Sequence, residues 1–87
     1  MKKWILMASL CLVAVAAQAQ SYKEYVRKAL DAMSMDSTEM AERLFREAMR
    51  VEPAQRSNAM IYYQIGRMQE HRGKLEKALE SYTMGLN

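Results

Sequence analysis

Few residues of this chain have the types and spacing for chemistry. There is one histidine, His71, and one cysteine, Cys11, sixty positions apart. Neither a metal constellation nor a Cys–His nucleophile pair can be assembled from them. His71 falls at the end of an apolar-periodic segment, where a cation is favoured by the helix dipole, so it reads as a surface position. The carboxylates Glu39, Glu42, Glu47, Glu76 and Glu80 alternate with Arg43, Arg46, Arg50 and Lys77. Such mixtures form solvated helix faces with i, i+4 pairs, not the isolated acid pair of a hydrolase. Ser and Asp residues lie at helix caps, away from any general base. Gly66 and Gly73 follow no strand and cradle no phosphate. The expectation is therefore no enzyme, no cofactor and no metal, which leaves non-covalent binding.

The first twenty residues set the compartment. Lys2 and Lys3 precede an uncharged apolar run from Trp4 to Ala16, and Ala17-Gln18-Ala19 then has the small-x-small pattern of a signal peptidase site. The expectation is a cleavable signal peptide over 1–19, with Ala17 and Ala19 in the peptidase pockets and Gln20 as the new N-terminus. Retention as a membrane anchor is the alternative, but the run is shorter than the roughly 20 residues needed to span a bilayer. Leu10 before Cys11 is the wrong residue for lipidation. Cleavage removes the only cysteine, so an exported product has no disulfide. It also removes two lysines, and the net charge falls from +3 to +1. The basic pI therefore belongs largely to the leader and is no nucleic-acid signature.

Behind the leader, apolar residues recur at spacings of three and four, so the mature chain is expected to be all-α. A first helix is expected over 21–34, with Tyr22, Tyr25, Val26, Ala29, Leu30 and Met33 on one face. Asp36 or Ser37 offers an N-cap with Glu39 placed for a capping box. A second helix over 37–51 carries Met40, Ala41, Leu44, Phe45, Ala48 and Met49, and Pro53 ends it. A third helix over 58–72, capped by Ser57 or Asn58, carries Ile61, Tyr62, Ile65, Met68 and Gln69. Gly73 suits the left-handed residue that closes it. A fourth over 75–86 carries Leu75, Ala78, Leu79, Tyr82 and Leu86. The methionines Met40, Met49 and Met68 read as core filling, whereas Met60 suits core and binding surface equally.

The two helix pairs repeat at an offset of 37. Tyr25 maps onto Tyr62, Ala29 onto Gly66, Glu39 onto Glu76, Ala41 onto Ala78, Phe45 onto Tyr82 and Ala48 onto Gly85. These positions, with Pro53 after the first unit and Ile65-Gly66 in the second, resemble the tetratricopeptide repeat. The departures are Lys28 for a leucine, Ala32 and Gln69 for the second aromatic, and a linker three residues longer than the family's period of about 34. The resemblance implies two tandem antiparallel helix-turn-helix hairpins of an α-solenoid, residues 20–55 and 56–87, behind the signal-peptide helix. It places Gly66 against Ala78 and Ala29 against Ala41, with Phe45 and Tyr82 between hairpins.

The family lays ligand peptides along the first helix of each hairpin. By position, that implies a groove of Lys23, Val26, Arg27, Leu30 and Met33 from the first unit, and Met60, Tyr63, Gln64, Arg67, Glu70 and His71 from the second. Val26 and Leu30 occupy the places of the Lys and Asn with which some members clamp a carboxylate, so that clamp is absent. The expected partner is a protein or peptide, with no nucleic acid and only transient membrane contact through the leader. The likeness is to repeat proteins exported by Gram-negative bacteria, periplasmic or secreted. Two alternatives stay open. The second unit stops before the expected proline with no polar capping helix, so one alternative is the start of a longer array carrying more repeats, a sensor or an enzyme domain. Leu79 and Leu86 also leave an apolar edge on which a second copy could stack.

Overall fold

Spacings of three and four become four helices in the computed structural model, which describes the backbone of residues 2–86 and the side chains of residues 17–86. The helices are α1 (Lys2–Ser34), α2 (Thr38–Val51), α3 (Asn58–His71) and α4 (Leu75–Leu86). No strand occurs among the described residues. Helix α1 packs on α2 and α3 on α4 as two hairpins, joined where α2 meets α3.

The first helix departs from expectation, because α1 runs unbroken from Lys2 to Ser34 instead of starting at 21. Gln18, Ala19 and Gln20 carry no breaker, so the helix passes through the expected cleavage site. The leader's side chains up to residue 16 lie outside the described residues. Among the described residues no helix is long and apolar enough to cross a membrane.

Both hairpins turn through the same device. Asp36 and Gly73 adopt positive φ, at 59° and 78°. Around each, two amide groups cap the preceding helix: Asp36 N–H donates to Met33 O and Ser37 N–H to Ala32 O, matched by Gly73 to Glu70 and Lys74 to Gln69. This is the Schellman arrangement, and its four members sit 37 residues apart in the two units. It displaces the expected capping box. Asp36 closes α1 instead of opening α2, and Ser37 makes no side-chain cap hydrogen bond. The start of α3 likewise has no side-chain cap at Ser57. At the other boundary, Glu52 is extended at φ −133°, ψ 81°, as a residue before proline should be.

One core joins three helices. It holds Tyr22, Ala29 and Ala32 from α1, then Ala41, Phe45, Ala48 and Met49 from α2, and Ile61, Ile65 and Met68 from α3. Met49 and Met68 fill it as expected, but Met40 points outward and is exposed. The fourth helix contributes little, since only Ala78 and Ser81 are buried along it. Its expected stripe is largely unpartnered: Leu75, Leu79 and Leu86 are exposed, Leu86 by 88%.

The two units differ on their docking faces. Where α3 presents buried Ile61, Ile65 and Met68 to the core, the 37-offset positions on α1 are Glu24, Lys28 and Asp31, all exposed. A helix packed there would strip water from three charges, so this face of α1 stays solvated. The Lys28 departure from the repeat pattern is thereby explained.

Close approach within the second hairpin depends on its glycines. A methyl group at Gly66 would stand 2.5 Å from the Tyr82 ring, and one at Gly85 would stand 3.1 Å from Tyr62 Cβ and 3.2 Å from the Ala59 carbonyl oxygen. Tyr82 therefore lies over Gly66 of its own hairpin instead of reaching a neighbouring one, and Gly66 meets this ring where Ala78 was expected.

Candidate functional site

The cleft between the hairpins follows from which helices touch. Helix α2 packs against both α1 and α3, but the α1 and α3 backbones stay more than 8 Å apart along the described residues. The space between them is a groove of about 380 Å³. Phe45 and Ile61 lie at its base, Val26, Leu30 and Met60 form apolar walls, and Lys23, Arg27, Ser57 and Gln64 line its edge. Phe45 is almost wholly buried, while Leu30 and Met60 are 48% and 61% exposed. Apolar side chains of that exposure, converging on one depression, are available to a ligand.

Six of the expected groove residues, Lys23, Val26, Arg27, Leu30, Met60 and Gln64, come together here. Met33, Arg67, Glu70 and His71 line a second depression of about 410 Å³, with Asp36, Thr38 and Met68; Gln64 belongs to both. Tyr63 stands apart. It lines a third hollow of about 330 Å³ with Ala59, Met60, Tyr82, Gly85 and Leu86, all of the second hairpin. Its ring is 5.8 Å from that of Tyr82, and Arg67 lies 6.0 Å over it. Burial and the Glu70 carboxylate raise the Tyr82 phenol above its ordinary value.

Two polar connections hold the hairpins at this spacing, and neither was visible in the pattern. The first is Asn58, buried at the start of α3. Its Oδ1 accepts from the Tyr22 hydroxyl at 2.8 Å, and its Nδ2 donates to the carbonyl oxygens of Glu52 at 2.9 Å and Pro53 at 3.3 Å. A residue expected as a cap thus ties α1, the 52–53 turn and α3 together beside the groove. Asn in place of an apolar residue within a helical stripe was the available signal.

The second connection lies on the opposite side. Ser81 donates to Gln69 Oε1 at 2.6 Å, Gln69 donates to Glu42 Oε1 at 3.2 Å, and Arg72 donates to Glu42 Oε2 at 2.9 Å. Arg46 adds a bond to Glu42 Oε1 at 3.0 Å. Glu42 is therefore no member of a freely solvated face: it joins α2 to α3, and through Gln69 to α4. Burial pushes its carboxyl up, but the hydrogen bonds and charges of Arg46 and Arg72 outweigh this and hold it below the ordinary 4.5. Gln69, which stands where the repeat pattern has an aromatic, is buried because its amide has partners on both sides.

The remaining carboxylates do not converge. Among the described residues no group of three or more His, Cys, Asp or Glu is placed to hold a metal ion. Compared with known proteins, the chain matches no family model, no curated protein and no solved structure.

Proposed function

We propose that this chain is an exported protein-interaction module of the tetratricopeptide-repeat type, a short α-solenoid that grips a peptide segment of a partner protein and has no catalysis of its own. The groove between α1 and α3 carries the reading: Phe45 and Ile61 at the base, with Leu30 and Met60 exposed at its walls. The shared 37-residue register of turns, small residues and aromatics supports the repeat assignment. The basic, apolar and Ala17-Gln18-Ala19 leader supports export to the periplasm or beyond.

The groove is tested by selecting a displayed library of random eight-residue peptides on the mature protein. Peptides should enrich on it, and Leu30→Glu or Met60→Glu should abolish the enrichment. Equal enrichment on those variants would sink the groove. Export is tested separately, by expressing the full chain and sequencing the N-terminus of the product in each fraction. Gln20 should be first in the exported fraction; recovery only in the cytosol with Met1 intact would reject it.

A second reading is favoured by the exposed face of α4. Residues 1–87 would then open a longer exported array, with function in later repeats or an appended domain, or a second copy would cover Leu75, Leu79 and Leu86. The transcript beyond Asn87 and sedimentation of the protein at high concentration distinguish these.

A further inference from the structure

The groove's charge is one-sided. Its lining includes two charged side chains, Lys23 and Arg27, and both are cations. They sit four residues apart on α1, so they are neighbours on one helix face. Like charges in that relation destabilise a helix. Elsewhere the chain pairs such positions with opposite charges, as in Glu42–Arg46 at i, i+4 and Glu47–Arg50 at i, i+3. Among the described residues neither Lys23 nor Arg27 has a carboxylate within ion-pair distance. A cationic pair with no ion-pair contact thus borders an apolar hollow, while Glu24 and Asp31 of the same helix are exposed outside its lining. Asp36 and Glu70 line the other depression with Arg67 and His71.

Size restricts the occupant further. Lys23 to Leu30 is a rise of seven residues of helix, or about 10 Å, which about three extended residues would span. A volume of about 380 Å³ lies at the small end of ligand sites, roughly 300–1,000 Å³.

We propose that the groove binds a short acidic-apolar peptide segment of a partner protein: a large apolar side chain seated over Phe45 and Ile61 between Leu30 and Met60, with an adjacent Asp or Glu paired to Lys23 and Arg27. This rests on the groove reading above and adds the chemistry of the partner. The apolar anchor supplies affinity, and the carboxylate removes the Lys23–Arg27 repulsion and selects among anchors. Rim charges act mainly through specificity and association rate, so salt should weaken the selection.

The test runs the random eight-residue library on the mature protein and on the Lys23→Glu/Arg27→Glu double variant, and reads charge next to the apolar residue in the enriched peptides. On the wild type, Asp and Glu should be enriched beside Leu, Met or Phe. On the double variant the bias should invert to Lys and Arg, and a selected acidic peptide should bind about tenfold more weakly. The Lys23→Gln/Arg27→Gln variant removes the repulsion without setting a new carboxylate beside Glu24 and Asp31. It should melt close to wild type and lose the acidic bias, so its lost binding cannot be ascribed to unfolding. Enrichment without charge bias, or the same bias on both proteins, would overturn the acidic partner while leaving the groove. Enrichment indifferent to Met60→Glu, or none at all, would overturn both.

Discussion

The Tyr22 hydroxyl donates to Asn58 Oδ1 across the gap between the hairpins at 2.8 Å, with both side chains buried. Tyr22→Phe keeps the ring and leaves the Asn58 oxygen without its donor. The cost of an unpartnered buried acceptor is about 1–3 kcal/mol. Urea denaturation should show it as a lower midpoint with an unchanged slope. A Tyr22→Phe/Asn58→Ala cycle should give a coupling of about 1 kcal/mol, and strict additivity would mean the bond does not join the hairpins.

Glu42 makes stability depend on acid. Its carboxyl is held below the ordinary 4.5 in the folded chain, so the folded state favours the ionised form. Its contribution is fully present above the unfolded value near 4.5 and is lost as pH falls through the lower folded value. Melting curves between pH 6 and 3 should fall more steeply for wild type than for Glu42→Gln. At neutral pH, Glu42→Ala should be the worse of the two variants, because Gln keeps an acceptor oxygen for the partly buried Arg72 whereas Ala leaves it with none beside its unpartnered buried Nε.

Gly66→Ala tests the seat of Tyr82. Alanine is favoured over glycine within a helix by about 1 kcal/mol, yet its methyl would meet the Tyr82 ring at 2.5 Å. Overpacking should prevail, for a net loss of about 1–2 kcal/mol. Tyr82→Ala in the same chain should turn the substitution favourable; a destabilising Gly66→Ala in both backgrounds would refute the contact.

The turn residues should respond in opposite directions. Asp36→Gly relieves a left-handed aspartate at φ 59°, whereas Gly73→Ala imposes a side chain at φ 78°. The expected changes are a gain of up to about 1 kcal/mol and a loss of about 1 kcal/mol, read from thermal midpoints.

Helix α4 should be the least protected element against amide hydrogen exchange, because it buries only Ala78 and Ser81. Protection should rise along α2 and α3, which share Phe45, Ile61 and Ile65 in the core. Equal protection of all four helices would show that the exposed leucines of α4 are covered in solution.

The sequence by itself determined the helical class and the approximate ends of the helices other than the start of α1, since periodicity, Pro53 and Gly73 act on their own neighbours. The groove along α1 and α3 was implied by the family resemblance, and six of its eleven residues line one depression. Only the tertiary structure decided what each residue meets. Asn58 looks like a cap until Tyr22, 36 residues away, supplies a donor. Glu42 looks like a solvated charge until Arg72 and Gln69 arrive from α3, and Met40 looks like core although no helix covers it. Asp36 was expected to open α2, and its place in the turn was settled by the carbonyls left free at the end of α1. In each case the deciding partner lies on another element or across a turn, and a periodicity of three and four reports only which side of its own helix a residue occupies.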